Sequence, residues 1–250
     1  MGKFFIKNNQ VENNRINIIG DDVNHIKNVL RYKVADVIII CDEDGKNYEC
    51  EIQEINKDSV ICQIISQIES NTESNIKISI FQGIPKFDKM ELVIQKCVEL
   101  GVYELYPVAM KRCVVKLDEN MISKKIDRWQ KISEVASKQS GRDIIPKINH
   151  SIKIPQILDL IKEYDLFIVA YENKKANTLK EVLKKIQHNG IIKNDFKIGI
   201  LIGPEGGIDV DEITMFDNSG AEIVTLGNRI LRTETVALSM ISIIMYELDS

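Results

Sequence analysis

The chain has 250 residues, 44% of them hydrophobic, enough to bury a real core in one or two domains. Its apolar runs are too short and interrupted for a membrane span, and the stretch after Met1 lacks the apolar centre of a signal peptide. The net charge of −4 argues mildly against nucleic acid, but residues 77–153 carry 15 Lys/Arg against 9 Asp/Glu, a block that suits phosphates or a solvated helical face.

Residues 1–72 are β-rich. The stretches 34–41 and 60–65 are dense in β-branched residues, 48–55 alternates as a partner strand should, and Asp42-Glu43-Asp44-Gly45 is a hairpin turn. Residues 25–31 predict a short helix with Ile26, Val29 and Leu30 facing inward and His25 and Arg31 at the surface. The polar run 67–75 has a linker's composition, which puts the domain boundary between residues 72 and 73. Beyond it, strand and helix alternate to residue 250. Residues 76–84 and 102–109 read as strands, joined by a helix that Asp88 caps and Gly101 ends. A longer amphipathic helix carries Ile122, Ile126, Trp129 and Ile132 toward Gly141. Strand 166–171 precedes a helix that Thr178 and Glu181 open as a capping box. This alternation predicts a parallel sheet with helices on both faces. Five cysteines (Cys41, Cys50, Cys62, Cys97, Cys113) form no C-x-x-C and read as small apolar residues in a reducing cytoplasm. Three scattered histidines offer no metal site.

Two stretches near the C-terminus share one grammar. Residues 197–202 are apolar enough for a strand buried on both faces and run into Gly203-Pro204-Glu205-Gly206-Gly207. Asp209 then caps a helix with Glu212 as its capping-box partner. Residues 221–226 repeat the pattern into Gly227, and Thr233 is the expected N-cap of a last helix. Side by side, the two turns make a pocket of backbone N–H groups and helix N-termini, suited to the carboxylate and adenine edge of a cofactor. Each turn alone is equally an ordinary strand-to-helix connection, and neither matches a phosphate loop. Together with Leu226-Gly227-Asn228-Arg229-Ile230-Leu231-Arg232-Thr233-Glu234-Thr235, however, the first turn resembles the C-terminal signature of the ribosomal RNA small-subunit methyltransferase E family, within the SPOUT methyltransferases. The resemblance extends over most of the chain, including 86–96 and Gln139-Ser140-Gly141-Arg142. Two residues depart from it: Phe87 stands where the family usually has Gly, and Val236 where it has a small Ala.

The resemblance implies an α/β fold: a small β-rich PUA-like barrel that binds RNA over residues 1–72, then a SPOUT domain over 73–250 with a C-terminal trefoil knot. It further implies a cytoplasmic homodimer that uses S-adenosylmethionine to methylate N3 of one uridine in 16S ribosomal RNA, within the small ribosomal subunit. Cofactor contacts are then expected at Tyr171, Ile202, Gly203, Pro204, Glu205, Gly206, Gly207, Leu226, Gly227, Ile230, Leu231, Arg232, Thr233 and Thr235. RNA contacts are expected at His25, Arg31, Lys86, Lys89, Lys111, Arg112 and Arg142. Uracil N3 carries a proton at neutral pH, so the site must remove it or stabilise the anion. Arg232 and Arg142 are the candidate cations for that charge. Glu205 is a candidate base, although a carboxylate near a helix start is also at ease as a cap. Two other readings stay open: a SPOUT enzyme methylating a ribose 2′-OH of transfer RNA, and a non-catalytic RNA-binding assembly factor.

Overall fold

The computed structural model describes residues 3–70, 72–115, 118–172 and 177–249. Contacts divide the chain into two units, Met1–Glu73 with Ser137–Ile145, and Ser74–Ala136 with Pro146–Ser250.

The first unit is a six-stranded sheet built from β1 (Lys3–Phe5), β2 (Val11–Glu12), β3 (Arg15–Ile19), β4 (Val37–Cys41), β5 (Asn47–Ile55) and β6 (Ser59–Ile68). The strand order is β1-β4-β5-β6-β3-β2, with β1 parallel to β4 and the remaining pairs antiparallel. Alternation places Ile16 and Ile18, Ile38 and Ile40, and Val60 and Cys62 in one core. Strands β1 and β2 escape a sequence reading because each is three residues or shorter.

Two expectations fail in this unit. The strand expected from residue 34 starts at Val37, because Asp36 closes a turn by accepting the Lys33 amide (2.6 Å) and Ala35 takes φ +73°. The short helix is α1 (Asp21–Asn24) continued by a wide π-type turn over His25–Val29. That wider turn rotates the following residues off the core. Only Ile26 is buried, while Val29 and Leu30 are 62% and 42% exposed.

The second unit alternates strand and helix: β7 (Ile76–Gly83), α2 (Lys89–Glu99), β8 (Glu104–Ala109), α3 (Glu119–Ser140), β9 (Lys147–Ile148), β10 (Ile152–Lys153) and α4 (Ile154–Leu160). Then come β11 (Leu166–Ala170), β12 (Asn177–Thr178), α5 (Leu179–His188), β13 (Phe196–Ile202), α6 (Val210–Asn218), β14 (Glu222–Thr225) and α7 (Thr233–Leu248). The strands pair in parallel in the order β10-β8-β7-β13-β11-β14-β12, with β9 beside β8. Ile198, Ile200 and Ile202 of β13 pack with α2, α5 and α7, whereas Leu201 packs with α4 and α6. Each such side chain gains about 1.5–3 kcal/mol on burial, so a strand covered on both faces belongs in the middle of the sheet. None of the helices among the described residues is long and apolar enough to cross a membrane.

Local signals are kept in part. Thr178–Glu181 and Asp209–Glu212 form the expected capping boxes. Asp88 does not cap α2 with its side chain; only its carbonyl accepts the Glu91 amide. Phe87, just before it, lies at φ +55°. An L-residue in that left-handed region costs about 1–2 kcal/mol.

The helix α3 runs from the second unit into the first, and the segment Ser137–Ile145 belongs with the N-terminal strands. Asp143 anchors it. Its carboxylate accepts hydrogen bonds from Lys3, Thr72 and Asn47, and the Cys41 thiol donates to its carbonyl. Burial pushes this carboxyl up, but the hydrogen bonds from Lys3, Ser70, Thr72 and Asn47 outweigh it and bring it down to about 2. A depressed carboxylate stabilises the fold above its unfolded pKa of 3.8, and that contribution is lost as pH falls toward 2. Asp143→Asn is therefore expected to lower the urea midpoint at pH 7, with the gap to the unaltered protein closing between pH 4 and 2. A gap that persists unchanged to pH 2 would contradict this assignment.

Candidate active site

Three connections meet at the carboxyl ends of β13, β11 and β14, which are neighbours in the sheet. They are the β13–α6 turn, the residues after β11, and the β14–α7 turn. Together with Lys89 from the start of α2 they enclose a cavity of about 650 Å³. In open parallel sheets this is where ligands settle.

The β13–α6 turn is tight by necessity. A Cβ on Gly203 would lie 2.8 Å from Ile208 Cγ1 and 3.0 Å from the Gly207 carbonyl carbon. A Cβ on Gly83, at the end of β7, would lie 2.6 Å from Pro204 Cδ. These glycines let the turn lie against the sheet edge. From outside, the turn is braced by two basic residues. Arg112 donates from Nη1 to the Gly206 carbonyl (3.3 Å) and from Nε to Asp209 (3.2 Å), and Lys111 Nζ reaches Asp209 (2.8 Å) and Asp211 (3.0 Å). The Lys111 amide also donates to Glu212 (2.9 Å). Lys111 and Arg112, expected to meet RNA phosphates, hold the start of α6 in this structure.

The second turn ends differently from the sequence expectation. Arg232, not Thr233, is the N-cap of α7; its carbonyl accepts the amides of Thr235 and Val236. Thr233 is the first helical residue, and its hydroxyl is used elsewhere. It donates to the Gly203 carbonyl (2.7 Å) and accepts from Gln82 Nε2 (2.8 Å). A buried hydroxyl with two partners ties β7, the β13 turn and α7 together.

Glu205 and Lys89 are paired at the cavity. Glu205 accepts the Lys86 amide (3.1 and 3.2 Å) and pairs with Lys89 Nζ at 2.9 Å; Lys89 also lies 3.7 Å from Glu234 Oε2. Burial pushes the Glu205 carboxyl up, but Lys89 and the amides of Glu205 and Lys86 outweigh it and hold it below the usual carboxylate range. A carboxylate so occupied is a weakened base and a good anchor for the loop before α2. Arg232 lines the cavity and has no carboxylate at ion-pair distance among the described residues.

Of the expected cofactor contacts, all but Thr235 line this cavity. Lys89 joins them from the expected RNA contacts, and Val236 is there as well. Arg142 is not among the lining residues. Its side chain is 5% exposed, in the first unit, and donates to both carboxylate oxygens of Glu73, one of which also accepts the Asp143 amide. His25 and Arg31 are exposed residues of that same unit, His25 with its ring edge-on to Phe4. Sequence reasoning missed Ala170, Glu172, Ile208, Val224, Thr225 and Arg229. Five of them flank residues already named, and Val224 and Thr225 close a strand whose carboxyl end points at the site.

Comparison with known proteins agrees with this geometry. Residues 72–245 match the RNA methyltransferase domain family, and residues 18–65 match the RNA methyltransferase PUA domain. The ribosomal RNA small subunit methyltransferase E of Bacillus subtilis (strain 168) is 37% identical over 232 residues, covering 93% of this chain and 90% of the relative. That of Mesomycoplasma hyopneumoniae (strain 232) is 32% identical over 242 residues, covering 97% and 98%. The solved structure of a ribosomal RNA small subunit methyltransferase E from Neisseria gonorrhoeae, bound to S-adenosyl methionine, superposes with a TM-score of 0.84 at 30% identity, covering 98% of this chain and 97% of that one. The likeness runs over nearly the whole length, through a PUA-type unit and a parallel α/β unit: the chain belongs to the ribosomal RNA small subunit methyltransferase E family.

Proposed function

We propose that this RNA methyltransferase transfers the methyl group of S-adenosylmethionine to N3 of one uridine in 16S ribosomal RNA of the small subunit. The cavity at the carboxyl ends of β11, β13 and β14 carries the reading. Its volume falls in the range of about 300–1,000 Å³ usual for cofactor sites. Ile202, Val224, Leu226 and Ile230 offer an apolar wall for adenine, and α7 begins beside it, with N–H groups for a carboxylate. When bound, the cofactor supplies an electrophilic methyl group. The protein's share is to hold the uracil in line with it and to stabilise negative charge as the N3 proton leaves. Arg232, at the cavity and unpaired among the described residues, is the group for that charge. Lys89 is committed to Glu205 and serves the loop.

The uridine N3 assignment follows from the resemblance of residues 203–207 and 226–235 to the family signature, and the C-terminal trefoil knot belongs to the same reading. So does a homodimer through α7, which keeps Ile243 and Tyr246 exposed beyond the stripe that packs on the sheet. An enzyme of this kind works where ribosomes are, in the cytoplasm. The test is incubation with S-adenosylmethionine and unmethylated small subunits, then digestion of the RNA to nucleosides, with the mass of the protein read by light scattering. The expected outcome is 3-methyluridine made by a dimer. A 2′-O-methylated nucleoside, or cofactor bound with no methyl transferred, overturns the chemistry; a monomeric mass overturns the dimer.

A further inference from the structure

The loop between β7 and α2 carries a side chain that packing does not explain. Phe87 is 84% exposed and sits in the left-handed region at φ +55°. A bulky residue there is strained and recovers nothing from burial. Both its flanks are tied to the active site. The Lys86 amide donates to Glu205, and the Lys89 ammonium pairs with that carboxylate, which lines the cavity along with Lys89. These two contacts hold the strained turn beside Glu205, a residue of the cavity lining. Another large apolar side chain is displayed at the same cavity, Ile230, at 82% exposure. The Lys86 ammonium, on the residue before Phe87, has no carboxylate partner among the described residues.

An exposed aromatic ring in a loop that also carries an unpaired lysine fits a strand of unpaired nucleotides, which offers a flat base to the ring and a phosphate to the cation. We infer that Phe87 is an RNA-contacting residue whose ring stacks on an unpaired base of the substrate at the mouth of the cavity. The inference rests on the RNA methyltransferase reading above. It adds a contact that reads no particular base, because every base has a π-face. The strained loop thus presents the base next to the one entering the cavity, and binding there works on affinity rather than on the chemical step.

The experiment compares the full-length protein with Phe87→Ala and Phe87→Trp, using small ribosomal subunits as substrate. KM and kcat for the subunits, S-adenosylmethionine affinity by calorimetry and the melting temperature are measured on each. Phe87→Ala is expected to raise KM about 5- to 150-fold, the equivalent of one base–aromatic stack. Its kcat, cofactor affinity and melting temperature should stay close to the parent's, and Phe87→Trp should restore KM. An unchanged KM in the Ala variant overturns the inference. So does a rise in KM that Trp fails to restore while the melting temperature falls, which would make Phe87 structural. A drop from dimer to monomer in the Ala variant would assign the ring to a second copy of the chain and also overturn it. If the parent protein methylates no subunits, the functional reading fails on its own, and Phe87 is judged by direct RNA binding, where equal affinity of parent and Ala variant overturns the stacking.

Discussion

Arg232→Ala is expected to lower turnover on the order of 100-fold at saturating RNA, the usual scale for removing one electrostatic donor from a transition state. Arg232 lines the cavity and no carboxylate among the described residues claims it. As the N-cap of α7 it holds the helix through its backbone carbonyl, so truncating its side chain leaves that role intact. Cofactor affinity should therefore change little. Arg232→Lys should recover only part of the turnover, because an ammonium keeps the charge without the forked geometry. Single-turnover rates with calorimetry on the same samples decide the matter. Turnover retained in Arg232→Ala with normal cofactor binding would move the role to another cation at the cavity, Arg229 or Lys89.

Gly203→Ala is expected to weaken cofactor binding on the order of 100-fold, although the side chain it adds is one methyl group. The new Cβ would need the space of Ile208 Cγ1 and of the Gly207 carbonyl carbon, at 2.8 and 3.0 Å. The backbone has little freedom to retreat, because the Gly203 carbonyl accepts the Thr233 hydroxyl at 2.7 Å. The turn that lines the cavity must shift, and misplacement by about 1 Å is worth about 100-fold where binding depends on position. Gly227→Ala is the contrast. A methyl group at that position would meet no protein atom within 4 Å, so only the φ of +111° and a cofactor in the cavity oppose the change. It should bind cofactor several-fold better than Gly203→Ala. Equal losses in the two variants would mean that backbone strain, not crowding, governs the pocket.

What the sequence disclosed and what it hid follow from the range of the signals involved. Strand β13 and its flanking turn were legible because an unbroken apolar run followed by glycines and a capping box is a local pattern. The cavity residues at 202–207 and 226–233 were legible for the same reason, with the family resemblance pointing the same way. The tasks of Lys111 and Arg112 were not, because the acids that claim them, Asp209 and Asp211, lie about a hundred residues away in the chain. Arg142 hid its partner Glu73 likewise. Thr233 had the right residue type for an N-cap, yet its hydroxyl found two buried partners from β7 and the β13 turn, and it lies one place inside the helix. Val29 and Leu30 were misread because a π-type turn breaks the 3.6-residue period on which their inward placement depended.

The division of the chain bears on how this protein can be cut and recombined. The N-terminal unit is made of two separate stretches, and the second one brings the carboxylate around which Lys3, Asn47 and Thr72 gather. A gene fusion joined at residue 73 would carry those three donors into a new protein without Asp143 and leave Glu73 without Arg142. The unit is thus not a cassette that shuffling can move with a single crossover. To be moved intact it must travel with Ser137–Ile145, the end of α3 and the residues after it.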